Sequence, residues 1–145
     1  MKFLKHENFP DAIANLIRHF EYWCYGETTV QFPVDLYPEE TEPGAWLLVV
    51  GKQAVEHRPT ILTVDAGTGN NAVALKALRD TKCSFVFLSR KWRREESLPE
   101  FSWKMLRVWP EIVERARDAH NAKRQVRIDV TPNGERRPRV DVTNY

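Results

Sequence analysis

Cysteine and long apolar runs are scarce in this sequence. Two cysteines, Cys24 and Cys83, stand alone among 145 residues. They are too few for a disulfide framework and lack metal-ligand spacing, so both read as structural thiols in reducing surroundings. The longest apolar run, Ala45 to Val50, is six residues, against the roughly 20 that a membrane-spanning helix needs. The opening MKFLKHENFP has neither the apolar stretch nor the small-residue cleavage site of a secretory signal, so a cytoplasmic protein is expected. The four histidines, His6, His19, His57 and His120, pair with no Cys or second His at ligand spacing. No Gly-x-Ser-x-Gly elbow is present, nor any other arrangement for a Ser or Cys nucleophile. Internal repeats and long linkers are also missing, which points to one domain.

Aromatic residues are plentiful. Five Trp, four Tyr and seven Phe make intrinsic disorder a poor description and supply a core without staples. The net charge of +2 conceals a division along the chain. Residues 1–75 carry five basic against ten acidic residues, whereas residues 76–127 carry fourteen against seven. The last eighteen residues are balanced. Such a division suits a metal ion held in one part and a polyanion in the other; an unevenly charged solvated surface is the plainer alternative.

Periodicity lays out an α/β chain. Met1 to Leu4 reads as a short strand. Ile13, Leu16, Ile17 and Phe20 recur at helical spacing over 11–21, with Asn8 or Asp11 available as a cap. The aromatics of Glu21 to Tyr25 suggest a second strand, and 27–44 reads as irregular. Ala45 to Val55 fits either a buried strand or a helix. Pro59 to Asp65 is the clearest strand, followed by a Gly- and Asn-rich turn at 66–71, a helix over 71–79 and a strand over 83–88. Strand, helix and strand in that order predict a parallel βαβ unit. A basic loop at 90–96 leads to an amphipathic helix over 101–119, where Pro110 predicts a kink or a fresh start. Around Pro132-Asn133-Gly134 the chain predicts a hairpin over 125–142.

Three constellations bear on chemistry. The turn Asp65-Ala66-Gly67-Thr68-Gly69-Asn70-Asn71 invites comparison with S-adenosylmethionine-binding Rossmann-like sheets and with actin-like ATPases. However, Asn71 replaces the third glycine, Leu88-Ser89-Arg90 offers no acid for a ribose, and about 75 residues follow. An S-adenosylmethionine-binding protein is therefore a remote alternative, and the ATPase is excluded by length. Glu7, after the first strand, and Asp65, at the end of the strongest one, fall where parallel strands converge on a crevice. Glu39, Glu40 and Glu42 lie between them in sequence, and carboxylates gathered there would call for Mg²⁺ or Mn²⁺. The plainer alternative is that Glu7 and Asp65 cap helices. Finally, Arg90, Lys91, Trp92, Arg93 and Arg94 interleave cations with an aromatic ring, as a nucleic-acid surface does. Trp103, Lys104 and Arg107 continue this run, but Trp103, Leu106 and Trp109 are spaced as core residues.

The order of these elements resembles the PIN-like ribonuclease superfamily, in particular small bacterial PIN-like proteins related to VapC-type toxins. Three stretches carry the resemblance: Lys2-Phe3-Leu4-Lys5-His6-Glu7-Asn8-Phe9-Pro10, the Pro59–Asp65 strand with the unit after it, and Arg107-Val108-Trp109-Pro110-Glu111-Ile112-Val113. The resemblance implies a single-domain α/β, three-layer sandwich with a short, mainly parallel central sheet. It would have a core over 1–124 and a C-terminal extended hairpin over 125–145. It also implies metal-dependent RNA cleavage, with Glu7 and Asp65 as catalytic, metal-binding carboxylates and Glu39, Glu40 or Glu42, Glu40 foremost, as the further metal ligand; His6 would assist catalysis as ligand or proton acceptor. Implied partners are RNA, a cognate antitoxin and a second copy of the chain, with no membrane. His6 stands where the family places Asp, Gly44 and Ala45 where it places acids, and Ala66 to Asn70 where a second Asp or basic residues are usual. A catalytically impaired module that binds RNA or a protein is thus the alternative reading.

Overall fold

The computed structural model describes residues 1–40, 42, 45–64, 76, 79–94 and 97–144. Its strands are β1 (Phe3–Lys5), β2 (Val30–Gln31), β3 (Thr60–Val64), β4 (Phe85–Leu88), β5 (Val126–Asn133) and β6 (Arg136–Asn144). Its helices are α1 (Asp11–Tyr25), α2 (Pro33–Leu36), α3 (Trp46–Gly51), α4 (Lys91–Arg94) and α5 (Leu98–Asn121), with a 3₁₀ turn at Val55–His57. Asp65, the glycine-rich turn at 66–71 and most of the helix expected over 71–79 lie outside the described residues, although residues 76, 79 and 80 are helical.

All six strands join one sheet in the order β2-β1-β3-β4-β5-β6. The first five run parallel, and β6 returns antiparallel as the expected hairpin. The fold is therefore α/β with a mostly parallel sheet. Residue alternation along the strands builds two apolar faces. Phe3, Leu62, Val64, Val86, Leu88, Ile128 and Val130 pack against α1 and α5. Leu4, Ile61 and Phe85 face the other way, under Trp46, Leu47 and Val50 of α3. All five residues of β3 are buried, as a central strand covered on both faces requires.

The second strand is displaced from its expected position. Glu21 to Tyr25 continue α1, because Ile13, Ala14, Ile17 and Glu21 keep one helical face buried. Glu21 is 3% exposed, and its carboxylate accepts hydrogen bonds from Thr29 N (3.0 Å) and Thr29 Oγ1 (2.7 Å). A charged residue thus continues an apolar stripe because the following loop satisfies it. Gly26, at φ +75, then ends the helix, its N–H bonding the Tyr22 carbonyl. The actual β2 comprises two residues within the segment that reads as irregular, too few for any periodicity to show.

Elsewhere the ambiguous segment after Ala45 forms α3, burying Trp46, Leu47 and Val50 along one side. The long helix α5 starts earlier than expected, where the Ser97 side chain accepts from Glu100 N (3.5 Å). It passes Pro110 without ending, because the buried face formed by Met105, Val108, Trp109, Ile112 and Ala116 continues across it. The hairpin turns at Gly134, whose φ of +59 suits glycine. The outer edge of β6 is guarded. The Val130 carbonyl accepts from Ser89 N on the β4 side, so the main-chain groups of Asp129 and Thr131 face β6. Given the Val130↔Val140 register, Pro138 then points its missing N–H outward, which discourages strand addition. No helix among the described residues is long and apolar enough to cross a membrane.

Two outcomes follow. Gly26→Ala adds a Cβ that meets nothing within 4 Å, so only the left-handed backbone is strained; chemical denaturation should show a loss of about 1 kcal/mol. Cys24 is exposed and Cys83 buried, and burial pushes the Cys83 thiol pKa up, against smaller opposing effects of Thr81 and Arg58. Less thiolate and no access both slow its alkylation. Iodoacetamide at mildly alkaline pH should therefore modify one thiol per native chain and two after denaturation.

Candidate functional site

Strand order reverses between β1 and β3: β2 lies on one side of β1 and everything later on the other. In an open α/β sheet this switch point leaves a crevice at the carboxyl ends of the strands. Here it receives the segment that leaves β1. His6 N bonds the Leu62 carbonyl (2.9 Å), and Phe9 N returns to the His6 carbonyl (3.0 Å), closing a tight turn. Phe9 anchors that turn in the core at 1% exposure. The nearly buried Lys5 donates to the same His6 carbonyl (3.0 Å) and pairs with Asp11 (2.9 Å).

Asn8 fastens the turn to β3. Its Nδ2 donates to the Val64 carbonyl (2.6 Å), and its Oδ1 accepts from Val64 N (3.2 Å) and Thr63 Oγ1 (3.0 Å). The side-chain amide takes the place of a neighbouring strand where β1 and β3 part. The cap reading of Asn8 is thereby corrected: α1 begins after Pro10 with no side-chain cap. Nor does Glu7 act as a cap. Its Oε1 accepts from Trp46 Nε1 (2.6 Å), reaching across to the first residue of α3.

These contacts determine the proton inventory of His6. Nδ1 lies 2.9 Å from Asn8 Oδ1, an atom already identified as an acceptor by Val64 N. Nδ1 must therefore carry a hydrogen. Asn8 N also lies near Nδ1, at 3.5 Å, the longer and weaker of the two contacts. In the neutral ring, Nε2 is then a bare lone pair, and it faces Glu7 Oε2 at 3.3 Å. Two acceptors so close repel each other unless a proton or a cation lies between them. Glu7 is still 42% exposed at its side chain, while His6 is 17% exposed, so the pair is open to solvent on one side.

That geometry tests the fit of a metal. Ligand bonds of about 2.1 Å meeting at about 90–109° separate two donor atoms by roughly 3.0–3.4 Å, a range that includes the 3.3 Å between His6 Nε2 and Glu7 Oε2. An imidazole nitrogen beside a carboxylate oxygen suits Mn²⁺ better than Mg²⁺, which prefers an all-oxygen shell. Among the described residues no group of three His, Cys, Asp or Glu side chains has metal-binding geometry, so Glu40 does not join this pair as a third donor. Glu39, Glu40 and Glu42 are exposed, with Glu40 N closing a turn on the Tyr37 carbonyl (3.0 Å). Asp65, next in the chain after Val64, lies outside the described residues.

The basic segment follows β4 on the same edge. Val64 pairs with Leu88, so Ser89, half-buried Arg90 and exposed Lys91 come next after the strand end beside Val64. Arg93 and Arg94 complete α4. The Ser89 hydroxyl is buried without a hydrogen-bond partner among the described residues. Trp92 is a correction. It is fully buried, its Nε1 donates to the Val130 carbonyl (2.9 Å), and its ring lies 4.7 Å from Phe101. A base cannot stack on it in the folded protein. Conversely, Trp103, expected in the core, is 45% exposed, while the neighbouring Lys104 is buried with its ammonium 5.8 Å from the Trp103 ring.

Asn8, Thr63 and Trp46 are the site residues that sequence reasoning missed. Asn8 stood beside His6 and Glu7, and that adjacency was the available signal; Trp46, inside an apolar run, gave none. Asn8→Ala would leave the Val64 N–H and C=O unpaired, so urea denaturation should show a loss of about 2–3 kcal/mol.

Neither protein-family models, nor curated proteins, nor solved structures provide a match to this chain.

Proposed function

We propose that the chain is a PIN-like, metal-dependent ribonuclease, the toxin-type member of a pair whose other member is an antitoxin protein. The observation that carries this reading is the meeting of His6 Nε2 and Glu7 Oε2 at 3.3 Å at the switch point of the sheet. In this reading His6 and Glu7 hold a divalent ion, with Asp65 as the third ligand. When bound, such an ion lowers the pKa of a water and offsets charge on a phosphodiester.

The chain's own residues do the rest. Asn8 holds the His6 ring in one tautomer, and Trp46 fixes the direction of the Glu7 carboxylate. Arg90 and Lys91, following β4 on the same edge, attract the RNA backbone. Trp92 takes no part in this.

A second reading has its own support. Glu7 Oε1 is already engaged by the Trp46 indole, and the described residues supply two donors rather than three. That arrangement favours a PIN-like module that has lost cleavage and retains binding to RNA or a protein. Calorimetric titration with Mn²⁺ separates the two. The nuclease reading requires Mn²⁺ binding that is lost in Glu7→Ala and in Asp65→Ala, with Mn²⁺-dependent cleavage of RNA abolished in both. A purified Asp65→Ala variant that cuts as fast as the parent removes the nuclease site; absence of Mn²⁺ binding by the parent favours the module.

A further inference from the structure

The opposite, amino-terminal edge of the sheet carries chemistry that the carboxyl-edge crevice does not use. A cavity of about 210 Å³ opens there, below the starts of β3, β4 and β5. Among the described residues, every charged or ionisable side chain lining it, Cys83 apart, is basic: Arg58, Lys82, His120, Lys123 and Arg124. These come from three separate stretches of the chain, so no single local pattern gathers them.

None of the five forms an ion pair with a carboxylate among the described residues. Arg58 is held from behind: its Nε donates to the Gln53 carbonyl (2.9 Å) and its Nη2 to the Gly51 carbonyl (3.4 Å). The guanidinium is thereby oriented while its charge remains unneutralised. Arg124 donates through Nη1 to the neutral Asn144 Oδ1 (3.3 Å). Like charges gathered this closely repel one another, and an anion removes that repulsion.

Lys82 and Lys123 add a second argument. They are the only described non-glycine residues at positive φ, +56 and +54, and both line this cavity. Glycine or asparagine is the usual occupant of such positions. The C-terminus of α5 favours a cation nearby through its dipole, which would account for Lys123 alone. It does not account for Arg58, which enters from the segment before β3, or for Lys82, which precedes β4.

A second cavity, of about 430 Å³, shares Arg58, Pro59 and His120 with the first and adds Lys2 and His57, with Glu56 as its one acid among the described residues. The two form a cationic trough along the amino edge.

We propose that this edge is a phosphate-binding site, in which Arg58, Lys82, Lys123 and Arg124 hold the oxygens of a phosphoryl group. The phosphate is either free or part of a nucleic-acid backbone. The proposal does not rest on the reading of the His6–Glu7 crevice.

The test uses the double variant Lys82→Gly/Lys123→Gly. Glycine relieves both left-handed positions, so the melting temperature should be unchanged or higher and loss of folding does not confuse the result. Parent and variant are titrated calorimetrically, at low ionic strength, with inorganic phosphate and with a short single-stranded RNA. Expected is binding of at least one ligand by the parent, weakened about tenfold or more in the variant. If the RNA is bound, the slope of log affinity against log salt should become shallower by about 1.4, the loss of two contacts. Phosphate binding without RNA binding identifies a free phosphate as the source, whereas RNA bound more tightly than phosphate identifies the backbone. A parent that binds neither, or a variant that binds as well as the parent, overturns the proposal.

Discussion

The clamp between Asn8 and β3 is the constraint on which the site depends. β1 and β3 pair over only three residues before they part. Main-chain groups at that divergence need partners, and a buried amide left unpaired would be costly. Asn8 supplies both at once for Val64, donor to its carbonyl and acceptor from its N–H. The turn from His6 to Phe9 is then held in one conformation. The same oxygen determines which nitrogen of His6 bears hydrogen, and so which faces Glu7. Trp46 reaches the other Glu7 oxygen from α3 on the second face of the sheet. One asparagine thus links strand pairing, turn geometry and the protonation pattern of the crevice.

The two edges of the sheet present different chemistry. The carboxyl edge sets a carboxylate and an imidazole at the switch point, with Arg90 and Lys91 following the adjacent strand end beyond β3. The amino edge gathers cations around two cavities. The charge division seen along the sequence does not map onto this division in space. Arg58 belongs to the acidic first half yet joins Lys82, Lys123 and Arg124 from the basic part. Parallel strands cause this, because every strand starts on one edge and ends on the other, returning distant segments to the same place.

Much of the fold was legible in the residues, and particular failures explain the rest. β3 was readable because five consecutive buried residues leave a run in which all but Leu62 are β-branched. The hairpin was readable from its glycine turn. Glu21 misled because the hydrogen bonds that make its burial tolerable come from Thr29, beyond the helix. Trp92 misled for a related reason. A tryptophan among arginines looks like a nucleic-acid surface, but a one-turn helix places its indole under β5, where the Val130 carbonyl satisfies the only polar atom. Trp103 went the other way, since helical spacing identifies a face without saying how wide its covered part is.

By itself the sequence determined that the chain is α/β, with a central apolar strand, a long amphipathic helix and a closing hairpin, because those properties follow from local periodicity and turn chemistry. It also placed His6 and Glu7 at a strand end. Only the tertiary structure decided that His6 Nε2 meets Glu7 Oε2, that Trp46 rather than another acid reaches Glu7, and that basic residues from three segments meet at the opposite edge. They bring together residues as far apart as Glu7 and Trp46, in a hydrogen bond, or Arg58 and Arg124, around one cavity. Their meeting depends on strand order and register, which no window of local sequence contains.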